Sequence, residues 1–328
     1  DGDQATAARK QGSPGGIGTT KKIPCLLEEK ECIRFQYLKQ NRGNLDIRKA
    51  CRTLGVSRAG FYEFLKRKPS RRSLENEILK EEIRSIFEEH KGRYGSKRIA
   101  KVLHSKGVIV NRKRISRLMR RMNLFAKGTR LHYRSYRRKP TESDRPNLLN
   151  QIFQSSGKNR IWVGDITYIP TQRGFLYLAV FLDICTRKVA GWSMDRRMKN
   201  QLVLDAFRQA FGREQPEEGL VVHTDQGPQF TSGAFRTLIS KSGAILSNSR
   251  KGNPYDNAVM ESFYRTLKRE LIQGANFDTP DQAQREIFKY IELYYNPKRI
   301  HSSLGYLTPA QYEAQLSSYP PNPVSSLY

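Results

Sequence analysis

The sequence predicts a mixed five-stranded α/β sheet with helices on its faces, preceded by an all-α region with a helix-turn-helix pattern. In the first half, apolar residues recur at helical spacing and glycines interrupt the pattern. Beyond a proline-containing stretch at residues 139–147, β-branched and aromatic runs separated by short turns replace it. The order of these elements, three strands and then alternating helices and strands, is typical of a mixed sheet covered by helices.

A chain of 328 residues is long for one domain, and the changes of pattern predict its boundaries. The amino-terminal segments are a tail and short helix at 1–40, a first helix-turn-helix at 41–70, and a second, basic helix-turn-helix region at 71–140. A linker at 141–155 precedes the core with the sheet at 156–275, and a C-terminal helical extension covers 276–328.

The first helix-turn-helix is predicted within residues 44–67. Its first helix ends at Gly55, and Ser57 is placed to cap the second. Two short helices joined by a tight glycine turn are typical of DNA-binding motifs, although an ordinary helical hairpin gives the same pattern. A longer helix is predicted at residues 74–90, and the apolar residues assigned to its buried side are Ile78, Ile83, Ile86 and Phe87.

Residues 91–139 repeat the pattern of helix, glycine turn and helix, and they hold 18 Lys or Arg but no Asp or Glu. The whole chain has a formal net charge of +28 and an isoelectric point near 10.1. This excess indicates a polyanionic partner, and the helical motif favours duplex DNA read in the major groove. The expected DNA-binding residues of this half are Arg58, Lys97, Arg98, Arg112, Lys113, Arg114, Arg117, Arg120 and Arg121.

Membranes and oxidising compartments are less consistent with the sequence. No run approaches eighteen apolar residues, the length that a membrane-spanning helix needs. The four cysteines form neither a disulfide-like spacing nor a metal-ligand spacing, which indicates a reducing, intracellular compartment.

Three carboxylates are prominent in the predicted sheet region. Asp165 lies in the middle of the first strand among apolar residues, where a carboxylate is unfavourable unless it is paired or binds a metal. Asp225 lies at the end of the fourth strand, at the edge where open α/β sheets present functional side chains. Glu261 lies on the last long helix, about 200° around the axis from the apolar residue Val259.

Each acid also has a structural interpretation. Asp165 could form a buried salt bridge, Asp225 could cap the loop after it, and Glu261 could pair with Arg265. Asp183, at the end of the second strand, is interpreted as a structural residue of the following turn. Taken together, however, three acids from three elements can converge on Mg²⁺, and two such ions about 3.5–4 Å apart would promote phosphoryl transfer.

The spacing of these acids, 59 residues between the first two and 35 between the last two, resembles the D,D(35)E signature of retroviral integrases and insertion-sequence transposases. The finer similarity is to the insertion-sequence-three family of bacterial transposases. Its core blocks resemble WVGDITYIPT, HTDQGPQFTS, SNSRKGNPYDNAVMESFYRTLKRE and YYNPKRIHSSLGYLTPAQYE. Its DNA-binding region resembles RKACRTLGVSRAGFY and YGSKRI, so that the resemblance covers residues 45–313.

The resemblance implies an RNase H-like catalytic core of the DDE class, with Asp165, Asp225 and Glu261 as catalytic and metal-binding residues. It implies Mg²⁺ as cofactor, as two ions that Mn²⁺ can replace, and a copy-out, paste-in route in which a freed 3′-hydroxyl attacks another strand. The implied partners are double-stranded DNA, as terminal inverted repeats and target, and further copies of the chain, at least a dimer on DNA. The implied location is the bacterial cytoplasm, in association with the nucleoid. Further expected phosphate contacts are Arg250, Lys251 and Lys268.

Other functions stay open at this point. A DNA-binding regulator or an element relic would carry the same motifs without chemistry, and a hydrolytic nuclease would cut strands without joining them. The block at residues 294–309 also has two interpretations. Either its aromatic side chains pack a C-terminal helix onto the core, or Asn296, Arg299 and His301 contact DNA.

Overall fold

The structure is a computed structural model that describes residues 27–128, 147–149, 155, 157–250 and 257–318. The chain divides into two compact units, Asp1–Ile78 and Leu79–Tyr328. Within the described residues, no helix combines the length and the apolar character needed to cross a membrane.

The first unit contains the predicted helix-turn-helix. Its helices are α1 (Glu31–Gln40), α2 (Ile47–Thr53) and α3 (Arg58–Lys66). Gly55 has a φ of 60°, which makes the tight turn, and the Ser57 hydroxyl caps α3 by accepting a hydrogen bond of 3.2 Å from the Gly60 amide. The small core of this unit consists of Phe35, Leu38, Cys51, Leu54 and Phe61.

Helix α4 (Arg71–Glu89) confirms the predicted long helix but corrects its buried side. Ile83 and Ile86 are buried as predicted, whereas Ile78 is 65% exposed and its neighbour Leu79 is buried instead. Spacing alone identifies an apolar face to within about one residue, because the neighbouring elements decide which residues are covered.

The second helix-turn-helix is also present as predicted and belongs to the second unit. Helices α5 (Ser96–Ser105) and α6 (Arg112–Arg121) are joined by a turn at Gly107, whose φ is 83°. Asn111 caps α6 by accepting a hydrogen bond of 2.8 Å from the Lys113 amide. The buried residues that join this pair of helices to the core of the second unit are Ile99, Leu103, Ile115, Leu118 and Met119.

The second unit contains a mixed five-stranded sheet, in agreement with the prediction. In spatial order the strands are β3-β2-β1-β4-β5, with β1, β2 and β3 antiparallel and with β4 and β5 parallel to β1. The strands are β1 (Ile161–Thr171), β2 (Gly174–Asp183), β3 (Val189–Asp195), β4 (Val221–Thr224) and β5 (Ile245–Asn248).

Helices cover both faces of the sheet because inward-facing residues alternate along the strands. One face packs around Phe181 and Phe207, and its helices are α7 (Asn200–Glu214), α8 (Pro228–Thr231) and α9 (Gly233–Lys241). The other face, which carries Val163 and Val180, packs against α10 (Ala258–Leu267), α11 (Pro280–Tyr290) and the second helix-turn-helix.

Helices α10 and α11 each continue as a π-helical turn, Lys268–Ile272 and Ile291–Tyr295. A 3₁₀ turn (Ser302–Leu304) and α12 (Pro309–Ser318) complete the described chain.

Side-chain amides occupy part of the outer edge of β3. The amide of Asn296 both accepts from the Val189 amide at 3.0 Å and donates to the Val189 carbonyl at 3.1 Å. Farther along the strand, Gln209 accepts a hydrogen bond of 2.8 Å from the Trp192 amide. These contacts satisfy backbone groups that an edge strand otherwise leaves to solvent.

Candidate active site

The sheet register places Asp165 and Asp225 side by side. The parallel strands β1 and β4 pair Gly164 with Thr224, and the two acids are the next residues of their chains. The prediction from sequence had put Asp225 at the end of its strand, and the structure places it directly after that end. The two carboxylates therefore belong to one location at the carboxyl end of β4.

Asp165 is a partly buried carboxylate without a basic partner at salt-bridge distance in the part of the chain that is described. Its Oδ1 accepts a hydrogen bond of 2.7 Å from the Ile166 amide. Burial, with added repulsion from Asp225 and Glu261, raises the pKa of Asp165 to about 7, although the Ile166 amide and Lys268 act in the opposite direction. The alternative of a buried salt bridge is therefore not found.

Asp225 is held by the loop that follows it. Its Oδ1 accepts a hydrogen bond of 3.0 Å from the Gly227 amide, so the predicted capping contact is present. Burial nevertheless raises the pKa of Asp225 above its ordinary value, because one amide does not replace the water removed from the carboxylate. Capping and a ligand role are thus compatible for this residue.

Helix α10 carries Glu261 and is tied to the sheet at Asp165. The buried Tyr264 hydroxyl donates a hydrogen bond of 2.6 Å to the main-chain carbonyl oxygen of Asp165. Glu261 lies three residues earlier, one turn along the same side of the helix. Its charge contributes to the raised pKa of Asp165, which places the Glu261 carboxylate within electrostatic range of the first acid.

The donor set of these acids suits a hard divalent cation. Among the described residues, no three His, Cys, Asp or Glu side chains are gathered closely enough to form a ready metal site. The pair Asp165 and Asp225, however, offers carboxylate oxygens that repel each other and that form no ion pair within the described residues. Oxygen ligands of this kind are preferred by Mg²⁺, and a cation between them would remove the repulsion.

Comparisons with known proteins identify the families of the helical region and of the core. An HTH-like domain family matches residues 73–132, and two integrase core domain families match residues 155–254 and 242–309. The chain is 56% identical over 247 residues to a transposase for insertion sequence element IS904 of Lactococcus lactis subsp. lactis (strain IL1403), covering 75% of this chain and 98% of that protein. It is 36% identical over 287 residues to transposase InsF for insertion sequence IS3A of Escherichia coli (strain K12), covering 86% and 98%.

The chain belongs to the insertion-sequence-three family of transposases. Its core is the RNase H-like integrase core, and it is an enzyme of the DDE class, a polynucleotidyl transferase. The structure also resembles that of the HTLV-2 integrase catalytic core domain in complex with magnesium, with a TM-score of 0.36 and 20% identity, covering 48% of this chain and 97% of that one.

The transposase presents a row of basic side chains on α6. Ile115, Leu118 and Met119 face the core, and the opposite side of the helix is basic. The exposed basic residues there are Arg112, Lys113, Arg117, Arg120 and Arg121, with Arg114 partly buried. Their contact with DNA stays a prediction.

The other predicted DNA-binding residues of the transposase have varied surroundings. Arg58, the first residue of α3, lies over the Tyr62 ring at 5.8 Å, and the exposed Lys97 lies 5.9 Å from the Tyr306 ring. Lys268 lies 5.3 Å from the Tyr168 ring. Arg98 donates to Glu270, Arg250 is exposed, and Lys251 lies outside the described residues.

Sequence reasoning missed Glu270, a carboxylate buried in the π-helical turn after α10. Arg299 donates three hydrogen bonds to Glu270, two from Nε at 3.2 and 3.0 Å and one from Nη2 at 2.9 Å, and the Tyr290 hydroxyl donates a fourth at 2.9 Å. Arg98 adds an ion pair at 3.3 Å. A signal was available, because at 100° per residue Glu270 falls about 20° from the buried Phe263 on the apolar stripe.

The block at residues 294–309 packs onto this core, which is the first of its two interpretations. Tyr294 and Tyr295 are buried, and the contacts of Asn296 and Arg299 described above tie the block to β3 and to Glu270. His301 receives a hydrogen bond of 2.9 Å from Arg299. Burial, together with Arg299 and other nearby arginines, lowers the pKa of His301 to about 2 and keeps this imidazole neutral.

Asp183 has the structural role that the sequence indicated. The Thr186 hydroxyl donates to its carboxylate at 2.6 Å, and the Cys185 and Thr186 amides donate at 3.3 and 3.2 Å. These contacts close the turn between β2 and β3.

Proposed function

We propose that this transposase binds the ends of its insertion sequence, cleaves one strand there and transfers the freed 3′-hydroxyl to another strand. Asp165, Asp225 and Glu261 are the proposed metal-binding and catalytic residues. The observation that carries the proposal is the adjacent pair Asp165 and Asp225, which has no ion-pair partner in the described part of the chain and lies beside the helix of Glu261.

The proposed cofactor is Mg²⁺, as two ions for which Mn²⁺ can substitute. Bound there, the metal would activate the attacking oxygen and stabilise the charge of the leaving oxygen. The three carboxylates would hold it through their oxygens, and the raised pKa of Asp165 describes the site without a cation.

The protein positions these ligands with neutral contacts. The Tyr264 hydroxyl fixes α10 on the carbonyl of Asp165, so that Glu261 has a defined place one turn away. Because this tyrosine is uncharged and buried, it orders the site without compensating the charge of the acids. The acids therefore remain available for the metal.

The basic helices are the proposed DNA-binding surface. The row on α6 would contact phosphates of double-stranded DNA at the terminal inverted repeats, and Arg250 and Lys268 would contact the strand at the site. Joining two ends to one target requires at least a dimer on DNA. A copy-out, paste-in route in the bacterial cytoplasm, associated with the nucleoid, completes the proposal and is supported by the family membership.

The test is a strand-transfer assay with labelled element-end duplex and Mg²⁺, in which wild type is compared with Glu261→Gln. We expect wild type to give joined products, and the variant to bind the duplex normally but to give neither nicks nor joined products. A matched control is Glu286→Gln, which changes a partly exposed glutamate on α11 and should leave both activities intact.

The outcomes distinguish the competing functions. Nicks without joined products from wild type would indicate a hydrolytic nuclease, and binding without chemistry would indicate a regulator or relic. A loss of DNA binding in Glu261→Gln as large as its loss of cleavage would contradict the ligand role of Glu261.

A further inference from the structure

A cavity of about 340 Å³ lies beside α10, away from the acids. Val259 and Thr266 line it, and on a regular helix they are rotated by about 140–160° around the axis from Glu261. The other walls come from the end of β2, the turn after it, and the 3₁₀ segment near Ser302. None of the three acids is among the described lining residues, so the cavity is distinct from the carboxylate site.

The lining of this cavity is rich in hydrogen-bond donors and positive charge. Three guanidinium groups line it, those of Arg98, Arg187 and Arg299, and no Asp or Glu is among its described lining residues. Hydroxyl groups add further donors, from Ser262, Thr266, Ser302 and Ser303. Guanidinium and hydroxyl groups together are the donors that proteins use for phosphate oxygens.

The positive charge around the cavity is only partly balanced. Arg98 and Arg299 share one carboxylate, that of Glu270, which does not line the cavity. Arg187 has no ion pair within the described residues, and the nearby Asp183 accepts its hydrogen bonds from Thr186 and Cys185. Burial lowers the pKa of Arg187, and the opposing influence of Tyr295 and Asp183 offsets this only in part.

The backbone at Arg187 is also unusual. Its φ is 59°, in the left-handed region that glycine and asparagine adopt most readily. The turn is held there by hydrogen bonds of 2.9 Å from the Arg187 amide to the Asp183 carbonyl and from the Asp183 amide to the Lys188 carbonyl. These hydrogen bonds hold the turn that carries the Arg187 side chain.

We propose that this cavity binds a phosphate group of the DNA backbone, with Arg187 as its principal contact. The proposal rests on the proposed function and adds to it a phosphate site outside the carboxylate cluster and outside the row on α6. The three arginines neutralise the phosphate, the hydroxyl groups donate hydrogen bonds to its oxygens, and the phosphate supplies a counter-ion for Arg187.

A second cavity favours DNA over a free phosphate as the source. Its volume is about 320 Å³, and it shares Arg98 and Ser302 with the first cavity. Its described lining also contains no Asp or Glu, and its additional basic residues are Arg93, Lys97, Lys127 and Arg269. Two consecutive basic cavities suit a strand, whose phosphates follow one another at regular intervals, whereas a free phosphate needs only one.

The first experiment measures how the affinity of the full chain for a duplex falls with salt, without divalent metal. The variant is Arg187→Asn, because asparagine tolerates the left-handed backbone. If it does not fold, Arg187→Gly is used in its place. The control is Arg236→Gln, which removes an exposed arginine from α9 on the opposite face of the sheet.

We expect the plot of log affinity against log salt to become less steep in Arg187→Asn. The magnitude of its negative slope should decrease by roughly 0.9, the value for one lost phosphate contact. Arg236→Gln should keep the wild-type slope. An unchanged slope in Arg187→Asn, with wild-type binding intact, would overturn the assignment to DNA while leaving the catalytic proposal untouched.

The second experiment uses inorganic phosphate, compared with chloride at equal ionic strength, and follows the melting temperature. We expect phosphate to stabilise wild type and Arg236→Gln more than Arg187→Asn. If Arg187→Asn loses the stabilisation by inorganic phosphate but keeps the wild-type salt dependence of duplex binding, the cavity binds free phosphate. That result would overturn the assignment of its phosphate to DNA. Equal stabilisation of all three proteins, with equal slopes, would overturn the site itself.

The two proposals also fail separately. If wild type binds no duplex, the proposed function fails and the DNA source fails with it, while the phosphate experiment still decides whether the cavity is an anion site. If Glu261→Gln cleaves normally but the affinity of Arg187→Asn for the duplex depends less on salt than that of wild type, the carboxylate assignment fails and the phosphate site stands.

Discussion

Asp165 and Glu270 are two carboxylates removed from water beside the same helix, yet their surroundings are opposite. Glu270 is matched by Arg299, Arg98 and the Tyr290 hydroxyl. Asp165 has one backbone amide and a second carboxylate, Asp225, as neighbours. Burial acts to raise the pKa of both carboxylates. The arginines outweigh burial at Glu270, whose pKa lies below the ordinary value, whereas the pKa of Asp165 stays raised.

The difference separates a structural carboxylate from one reserved for a ligand. A buried acid that is fully paired holds elements together, and removing its partner leaves an uncompensated charge. A buried acid that is unpaired destabilises the fold until a cation arrives. The following experiments test this difference between Glu270 and Asp165.

The largest effect is expected for Glu270→Gln. The substitution leaves Arg299, which is 2% exposed, without its carboxylate, and we expect the free energy of unfolding to fall by about 3–5 kcal/mol. Urea denaturation measures it. The control Glu286→Gln disrupts the exposed pair with Lys289 and should cost about 0–1 kcal/mol. Equal losses in the two variants would contradict a structural role for Glu270.

A gain is expected for Asp165→Asn in EDTA at pH 8. The asparagine side chain still accepts the hydrogen bond from the Ile166 backbone amide but carries no charge. The free energy of unfolding should therefore be about 1–2 kcal/mol higher than in wild type. Mg²⁺ should then raise the melting temperature of wild type but not of the variant. Asp205→Asn, an exposed change on α7, serves as control. A destabilised Asp165→Asn would mean that Asp165 is structural.

The pH dependence of stability provides the third test. Burial alone would raise the pKa of Glu270, but Arg299 and its hydrogen bonds, with Arg98, outweigh it and lower the pKa from 4.5. The unfolded chain therefore takes up the proton first as the pH falls. The stabilisation by Glu270 should be complete above pH 4.5 and decline below it by at most about 1.4 kcal/mol per pH unit.

Urea midpoints of wild type and Glu270→Gln between pH 7 and pH 3 measure this dependence. The gap between the two proteins should stay constant down to about pH 4.5 and then narrow. A gap that stays constant to pH 3 would show that Glu270 does not titrate as its pairing predicts.

The smallest effect is expected for Tyr264→Phe. Losing one buried hydrogen bond to the Asp165 carbonyl should cost about 1 kcal/mol of stability. Because this contact places Glu261, strand cleavage should fall while DNA binding stays intact. Tyr62→Phe on α3 is the control. Unchanged cleavage in Tyr264→Phe would remove the tyrosine from the positioning of the site.

The sequence predicted the surroundings of Asp165 much better than those of Glu270. Asp165 was visible because a charged residue interrupted an apolar strand, and the helix-turn-helix motifs were visible through Gly55, Gly107 and their caps. These signals are local, since each lies within a few residues. The five-stranded sheet followed from the order of such elements.

The partners of Glu270 were not visible, because they lie far away in sequence. Arg299 is 29 positions later and Arg98 is 172 positions earlier, so no periodicity links them. The π-helical turn that carries Glu270 also departs from the 3.6-residue repeat. The correction at Ile78 has a related origin, because distant elements decide which face of α4 is covered.

The amide contacts on β3 have a consequence for self-association. An open sheet edge invites another strand to pair with it, which leads to aggregates or to fused sheets. Asn296 and Gln209 occupy backbone groups of Val189 and Trp192 that an incoming strand would need. Copies of this chain are thereby discouraged from joining through β3, and replacing Asn296 would expose a template for fibril-like growth.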